Sequence, residues 1–468
     1  MKPDILLLSF APPGQRTRGA FQVANHCRQN GYTCQVITFI QEFSHGELQE
    51  LLDKFISPTT IIGISAFSFK SLLILQSCVP VLHFIKTQFP NNKLVMGGAD
   101  TYNYEAALNI HFDAHFTGYS EQAFVEYVDS VRGKRPKVLH PMKHNCTIIE
   151  GDSSIGKFDI QTLDFQWHVN DCLLPNEIVS IELSRGCIFK CAFCGYKLNG
   201  KKKFDYIRDF DRIRAEFIHN YEVYGITKYH FLDDTFNDSG YKMDAMHQLI
   251  TSLPFKIEFW AFIRADLLEA HPEQINQLKE MGLKIAFFGI ETLNQLAAKA
   301  IGKGLSTIKM KALLERLYID DWKDIHIIFG LIMGLPHETE VTIRETLDYI
   351  DRFTRWEKAL NVLYIPNSDS SPSLFTSNSV SYGYTFPDPD NKPTGPKNTW
   401  INNEGIGVKN NWVNNMGFSE IDAIKLLSEY DKRWGTYTVA HSYQKFLLSP
   451  YGNNIEEVLG KSITTVWD

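Results

Sequence analysis

Ser184-Arg185-Gly186-Cys187-Ile188-Phe189-Lys190-Cys191-Ala192-Phe193-Cys194 decides how this chain is read. Three cysteines stand at Cys-x3-Cys-x2-Cys spacing, directly after an apolar run, Glu177–Leu183, that reads as a strand. Three thiolates on one tight loop fall short of the four ligands of a structural zinc site. They suit three irons of a [4Fe–4S] cluster, whose fourth iron stays open to a small molecule. A zinc knuckle completed by a distant ligand, His230 or Cys172, is the alternative. The other five of the 8 cysteines (Cys27, Cys34, Cys78, Cys146, Cys172) are scattered singly. They read as small buried hydrophobes, not as a disulfide scaffold.

Beyond the loop, four apolar runs each end in polar or glycine residues. Lys228–Leu232 leads into Asp233-Asp234-Thr235-Phe236-Asn237, and Lys256–Phe262 into Arg264-Ala265-Asp266. Lys284–Phe288 leads into Gly289-Ile290-Glu291-Thr292, and Ile325–Leu331 into Ile332-Met333-Gly334-Leu335-Pro336. A β/α barrel places its active site at such carboxyl-terminal strand ends. Gly302-Lys303-Gly304 is too short and lacks the flanks of a P-loop, so no nucleoside triphosphate site is read there.

Ahead of the loop, Ile5–Phe10, Thr33–Phe39, Thr60–Ala66 and Lys93–Met96 read as strands. Helical patterns at Gly19–Gln29, Gly46–Phe55 and Ser71–Phe89 alternate with them. Apolar strands alternating with helices predict a doubly wound parallel sheet, with ligands beyond the strands' carboxyl ends. The loops there carry Pro12-Pro13-Gly14, Ser65-Ala66-Phe67 and Gly97-Gly98-Ala99. The paired glycines read either as a turn or as a place where a bulky cofactor meets backbone.

The cysteine loop and the strand ends resemble the radical SAM superfamily. The β-α-β-α-β-α-β order with Gly97-Gly98 after its fourth strand resembles the cobalamin-binding domain of one subgroup of those enzymes. The resemblance covers about the first three quarters of the chain. It implies an α/β fold: a cobalamin-binding-like doubly wound parallel sheet over residues 1–140 and a linker over 141–175. A radical SAM partial β/α barrel would follow over 176–365, and an α-rich, irregular substrate or lid region over 366–468.

The resemblance also implies that Cys187, Cys191 and Cys194 hold a [4Fe–4S] cluster that cleaves S-adenosylmethionine to a 5′-deoxyadenosyl radical. Phe193 matches an aromatic packed near the adenine, or anchors the loop. Asp233 and Asp234 would accept the ammonium or ribose hydroxyls, or one of them caps a helix. Glu291 matches a ribose-contacting strand end. Arg264 either pairs the methionyl carboxylate or bridges to Asp266. Gly330 and Gly334 either approach the adenine or permit close packing. Ser65, Gly97 and Gly98 would line a cobalamin site. The stretch Ala11–Gly19 carries no histidine for cobalt, and His26 falls inside the first helical pattern.

Methyl transfer to an unactivated centre is the reaction such an architecture implies. Radical rearrangement, cyclisation or dehydration, with no cobalamin bound, is the alternative. A non-catalytic protein with structural zinc is the third reading. A transfer-RNA methylthiotransferase would need three further cluster cysteines near the N-terminus, and Cys27, Cys34 and Cys78 lie in predicted helices and a strand.

The 468 residues are 44% hydrophobic and 22% charged, an ordinary globular composition. A net charge of −7 argues against a strongly basic nucleic-acid binder. No run is long and apolar enough for a membrane span, and the N-terminus lacks a signal-peptide pattern. The expectation is a cytoplasmic protein without membrane contact. Its substrate would be a small molecule, a peptide or a modified nucleotide, and its reductant a reductase or a flavodoxin-type donor.

Overall fold

Strand β1 (Ile5–Ser9) is buried along its whole length because its two faces serve two cores. Leu6 and Leu8 pack in one apolar cluster, Ile5 and Leu7 in another. That arrangement requires helices on both sides of the sheet. They are α1 (Arg18–Gln29), α2 (His45–Phe55) and α3 (Leu72–Gln88), alternating with β2 (Cys34–Thr38), β3 (Ile61–Ser65) and β4 (Leu94–Gly97). A capping box between Ser44 and Glu47 starts α2. Next come β5 (Ala114–Thr117) and α4 (Ser120–Val131). The strand order β2-β1-β3-β4-β5, all parallel, reverses between β1 and β3, where a doubly wound sheet binds its ligand.

The computed structural model describes residues 2–9, 16, 18–40, 43–65, 72–98, 110–136, 140–143, 146–151, 159–173, 177–195, 200–363, 365, 373–387, 399–402, 405–408 and 412–434. The loops carrying Pro12-Pro13-Gly14, Ala66-Phe67 and Ala99 lie outside the described residues, as does much of 366–411.

The stretch expected to be a linker, 141–175, adds two strands to this sheet. β6 (Met142–Lys143) pairs antiparallel with β7 (Cys146–Glu150), which runs parallel beside β5. The run Cys-Thr-Ile-Ile-Glu is rich in β-branched residues but short; beside β5 and β6, Ile149 pairs with Phe116, Cys146 pairs with Lys143, and both are buried.

The second sheet is built from β8 (Val179–Ile181), α5 (Phe210–Tyr224), β9 (Lys228–Phe231), α6 (Gly240–Thr251) and β10 (Glu258–Ile263). It continues through α7 (Ala265–Ala270), α8 (Glu273–Met281), β11 (Leu283–Glu291), α9 (Gln295–Ala300) and α10 (Thr307–Arg316). It closes with β12 (His326–Met333), α11 (Glu340–Asp351) and β13 (Glu357–Val362). Its six strands are parallel and lie in chain order, a partial β/α barrel. Ile178, Trp260, Ile285, Ile328 and Ala359, with Phe262 and Phe287, form a separate cluster on one sheet face. The alternate residues, among them Phe259, Ala261, Phe288 and Phe329, pack in the cluster that also takes in the helices.

The C-terminal region holds α12 (Leu374–Asn378), a hairpin of β14 (Thr399–Asn402) and β15 (Gly405–Val408), and α13 (Glu420–Trp434). Ser419 and Asp422 cap α13 through reciprocal bonds of 3.2 Å. One apolar cluster runs from Ile5 and Phe21 through the barrel strands to Tyr430, so both sheets and α13 share a core. Among the described residues no helix is long and apolar enough to cross a membrane.

Candidate functional site

The cysteine loop leaves the carboxyl end of β8 and is pinned on several sides by backbone. Arg185 N–H donates to Tyr206 O (2.9 Å), and Lys201 N–H to Cys187 O (3.1 Å). Ala192 N–H donates to Ile301 O, and Phe375 N–H to Ala192 O, each at 3.1 Å. Cys187 is buried, Cys191 and Cys194 are half-buried, and all three are free thiols. Cys187 Sγ lies 3.4 Å from Thr235 Oγ1. Burial raises the Cys187 thiol above its ordinary value, with the Thr235 hydroxyl and Phe189 N–H pulling the other way.

Arg264 stands beside this loop. Its guanidinium forks onto Asp266 at 2.7 and 2.9 Å, donates to Cys191 Sγ at 3.5 Å and covers the Phe189 ring at 3.7 Å. A cation held against a cysteine sulfur suits a thiolate ligand. Phe193 is half-buried and packs against the main core.

The two aspartates after β9 have different surroundings. Asp233 is fully buried; Leu183 N–H (3.1 Å), the Ser184 hydroxyl and Lys242 Nζ (3.3 Å) all bond it. Asp234 is exposed, beside the Asp233 network. The protein around it, followed by the neighbouring Asp233 charge, pushes its carboxyl up to about 7.

Glu291 sits on a bulge of β11 at φ +65°, a strained backbone for a glutamate. Its carboxylate lies 3.4 Å from Lys303 Nζ, which also donates to Gly289 O at 2.7 Å. A Cβ on Gly289 would stand 2.6 Å from Glu291 Oε1, so the glycine makes room for the carboxylate. Burial raises the Glu291 carboxyl despite Lys303. A small pocket beside Lys303 is lined by Asp266, Gly289, Thr292 and Met310.

Gly330 and Gly334 face neighbouring rings. A Cβ on Gly330 would come 2.6 Å from the Phe287 ring. Gly334 has φ +98°, and its Cβ would come 2.0 Å from Trp412 Cη2. Glu338 then closes this corner, accepting from Thr292 Oγ1 (2.7 Å) and from the N–H groups of Gly334 and Leu335 (3.0 Å each). Burial pushes its carboxyl up to about 7.

At the rim of the first sheet, Thr38, Ser9, Ser65 and Gly97 stand side by side in register. Gly98 follows at φ +137°, a conformation that favours glycine, with its N–H on Phe116 O at 3.3 Å. These four small residues stand at one height at the switch point, where a doubly wound sheet receives its ligand. His26 is half-buried in α1 and 3.1 Å from Gln122 Oε1.

Reasoning from sequence missed the partners that hold this site together. Arg185 donates to Glu121 on α4 and to Glu182 (2.7 Å) and Gln22 (3.0 Å), tying the cysteine loop to the first sheet's helices. Arg18 and Arg208 share the buried Glu216 at 2.7 and 2.8 Å nearby. Lys242, fully buried, holds Asp233 and Asp238. Lys303 was legible only as part of a rejected P-loop. A lysine a dozen residues after a strand-end glutamate is the one hint the sequence offered.

Three free thiols on one eight-residue span, with Arg264 against the middle one, fit a thiolate-ligated cluster. Among the described residues, Cys187, Cys191 and Cys194 included, no three His, Cys, Asp or Glu side chains are gathered at ligating distances. His230 is buried edge-on against Trp260, and Cys172 lies in an exposed turn.

Residues 181–350 match the model of the Radical SAM superfamily. An uncharacterized methyltransferase of Pyrococcus horikoshii is 28% identical over 166 residues, which are 36% of this chain and 35% of that relative. The match thus spans about a third of the curated relative's length. The radical S-adenosylmethionine methyltransferase TsrM of Kitasatospora setae has a similar fold, with a TM-score of 0.58 and 13% identity over 81% of this chain and 77% of that one. The cobalamin-dependent S-adenosylmethionine radical enzyme OxsB is similar at a TM-score of 0.57 and 14% identity, over 81% of this chain and 56% of that one.

Proposed function

We propose that residues 181–350, which match the Radical SAM superfamily model, form a radical SAM domain, and that the chain as a whole is a cobalamin-dependent radical SAM methyltransferase. One observation carries the reading. A doubly wound sheet with a small-residue rim shares one core with the partial barrel whose first strand end bears the three cysteines. The fold likeness to TsrM and OxsB supports it.

Bound [4Fe–4S] and S-adenosylmethionine supply a 5′-deoxyadenosyl radical by one-electron reductive cleavage, and cobalamin carries the methyl group. In this proposal Cys187, Cys191 and Cys194 hold three irons, and Arg264 keeps a positive charge against the Cys191 sulfur. Asp233 is a support: with Lys242 it fixes Ser184 at the loop's start. Asp234, outward-facing, accepts the ammonium or ribose hydroxyls. Glu291 accepts ribose hydroxyls, oriented by Lys303. Phe193 covers the adenine. Gly330 and Gly334 let Phe287 and Trp412 close the site, which keeps water away from a reactive intermediate. Ser65, Gly97 and Gly98 would line the corrin.

The substrate is a small molecule, a peptide or a modified nucleotide, the reductant is a low-potential protein, and the setting is the cytoplasm. The histidine-free stretch Ala11–Gly19 favours a second reading, in which the radical drives rearrangement, cyclisation or dehydration without methyl transfer.

The test is an anoxic incubation of reconstituted protein with S-adenosylmethionine and dithionite. Methyl transfer predicts S-adenosylhomocysteine alongside 5′-deoxyadenosine, whereas the second reading predicts 5′-deoxyadenosine alone. Cys191→Ala should lose the brown chromophore and all cleavage. Retained cleavage in that variant would sink both readings.

A further inference from the structure

We propose that Lys190, Lys201, Lys202 and Lys203, with Phe204 and Tyr241, form the docking surface for an acidic one-electron donor protein of the flavodoxin kind. The inference rests on the reading that the cysteine loop holds a redox cluster. Lys190 lies inside that loop, and Lys201–Lys203 follow it. The two segments are held together by backbone: Gly200 N–H donates to Phe189 O and Lys201 N–H to Cys187 O, both at 3.1 Å. The Lys190 side chain crosses Gly200 so closely that a Cβ there would stand 2.0 Å from its Cε. Lys190 is thereby brought beside the Lys201–Lys203 run, next to the cysteine loop.

Lys190, Lys202 and Lys203 are exposed and Lys201 is half-buried. Among the described residues none of the four has a carboxylate at ion-pairing distance, whereas other exposed cations, such as Arg433 on Asp348 (3.0 Å) and Lys93 on Asp113 (2.6 Å), do. Asp205 is the one acid in the run from 200 to 206. A solvated face would explain scattered lysines. It does not explain four like charges on two adjoining segments, without ion-pair partners, in a chain of net charge −7.

An apolar centre adjoins the charge. Phe204 is 50% and Tyr241 55% exposed, with ring centroids 5.1 Å apart and Phe210 5.8 Å from Tyr241. Exposed aromatics beside a rim of one sign are the composition of a small, transient interface steered by charge. An acidic donor complements it in sign. The surface also reaches the first cysteine of the loop through one hydrogen bond, which a donor needs and a polymeric substrate does not.

The experiment uses the full-length, cluster-loaded enzyme and follows 5′-deoxyadenosine. One arm is driven by dithionite, the other by flavodoxin with its reductase and NADPH. Lys202→Glu/Lys203→Glu should raise the KM for flavodoxin about tenfold and flatten its dependence on salt. Phe204→Ala should raise that KM without changing the salt dependence. Neither variant should change the dithionite-driven rate, and Lys425→Glu on α13 should change nothing. An unchanged flavodoxin KM overturns the proposal. An equal loss with dithionite also overturns it and assigns the lysines to a nucleic-acid or peptide substrate. No cleavage by wild type with dithionite would remove the cluster reading and this inference together, and that failure is separate because dithionite needs no docking surface.

Discussion

Replacing Arg185 by alanine should unlock the first sheet's helices from the cysteine loop. The guanidinium bonds Glu121, Glu182 and Gln22 and lies 4.8 Å over the Tyr119 ring, whose hydroxyl returns a bond to Arg185 O at 3.1 Å. Burial alone would raise the Glu182 carboxyl, but Arg185, helped by Arg18 and Gln22, holds it below its ordinary value. Deleting one partner of a buried pair costs about 3–5 kcal/mol, because the other charge stays buried. Glu182 keeps the Gln22 amide at 2.6 Å, which softens the loss, so about 3 kcal/mol is expected. Chemical unfolding followed by circular dichroism should show it as a lower midpoint, and iron retained after reconstitution should fall as the Cys187 limb loosens. Combining Arg185→Ala with Glu121→Gln and Glu182→Gln should recover part of the loss, since no carboxylate is then left uncompensated. A loss below about 1 kcal/mol, or no recovery in the triple variant, would refute the reasoning.

Gly334→Ala should be strongly destabilising, by about 2–4 kcal/mol, because it combines a positive φ with a Cβ driven into the Trp412 ring. A red-shifted tryptophan emission would report the displaced indole. Glu338 predicts a pH dependence. Its folded-state pKa of about 7 lies above the ordinary glutamate value, so it favours the fold at low pH. That contribution, on the order of 3 kcal/mol, is lost as pH rises from about 4.5 through 7. Glu338→Gln keeps an acceptor for the Gly334 and Leu335 N–H groups, so its stability should be flatter over that window. An unchanged slope would remove Glu338 from the explanation.

Most of the architecture was legible because it rests on local pattern. β1 reads as five consecutive apolar or small residues because both its faces are covered, and Ser44 with Glu47 marks the start of α2 before any packing is known. The cysteine loop was legible from spacing alone. What failed to show were relations between distant segments. Nothing near Gly334 announces Trp412, and nothing near Asp233 announces that Lys242 and Ser184 saturate it. β7 was missed because a five-residue run with three β-branched residues, after a proline-containing stretch, gains its strand only from the neighbouring β5. The Arg185 fork unites residues from α1, α4 and the loop, and charge in one segment does not declare its partner in another.

The central claim is a cobalamin-carrying radical cluster enzyme, and cofactor content tests it most directly. The full chain should be produced without oxygen in cells supplied with cobalamin, its cluster reconstituted, and corrinoid, iron, sulfide and zinc quantified per chain. The proposal predicts about one corrinoid and about four irons per chain. Four irons without corrinoid would contradict the methyl-transfer reading, and stoichiometric zinc without iron would contradict the cluster itself.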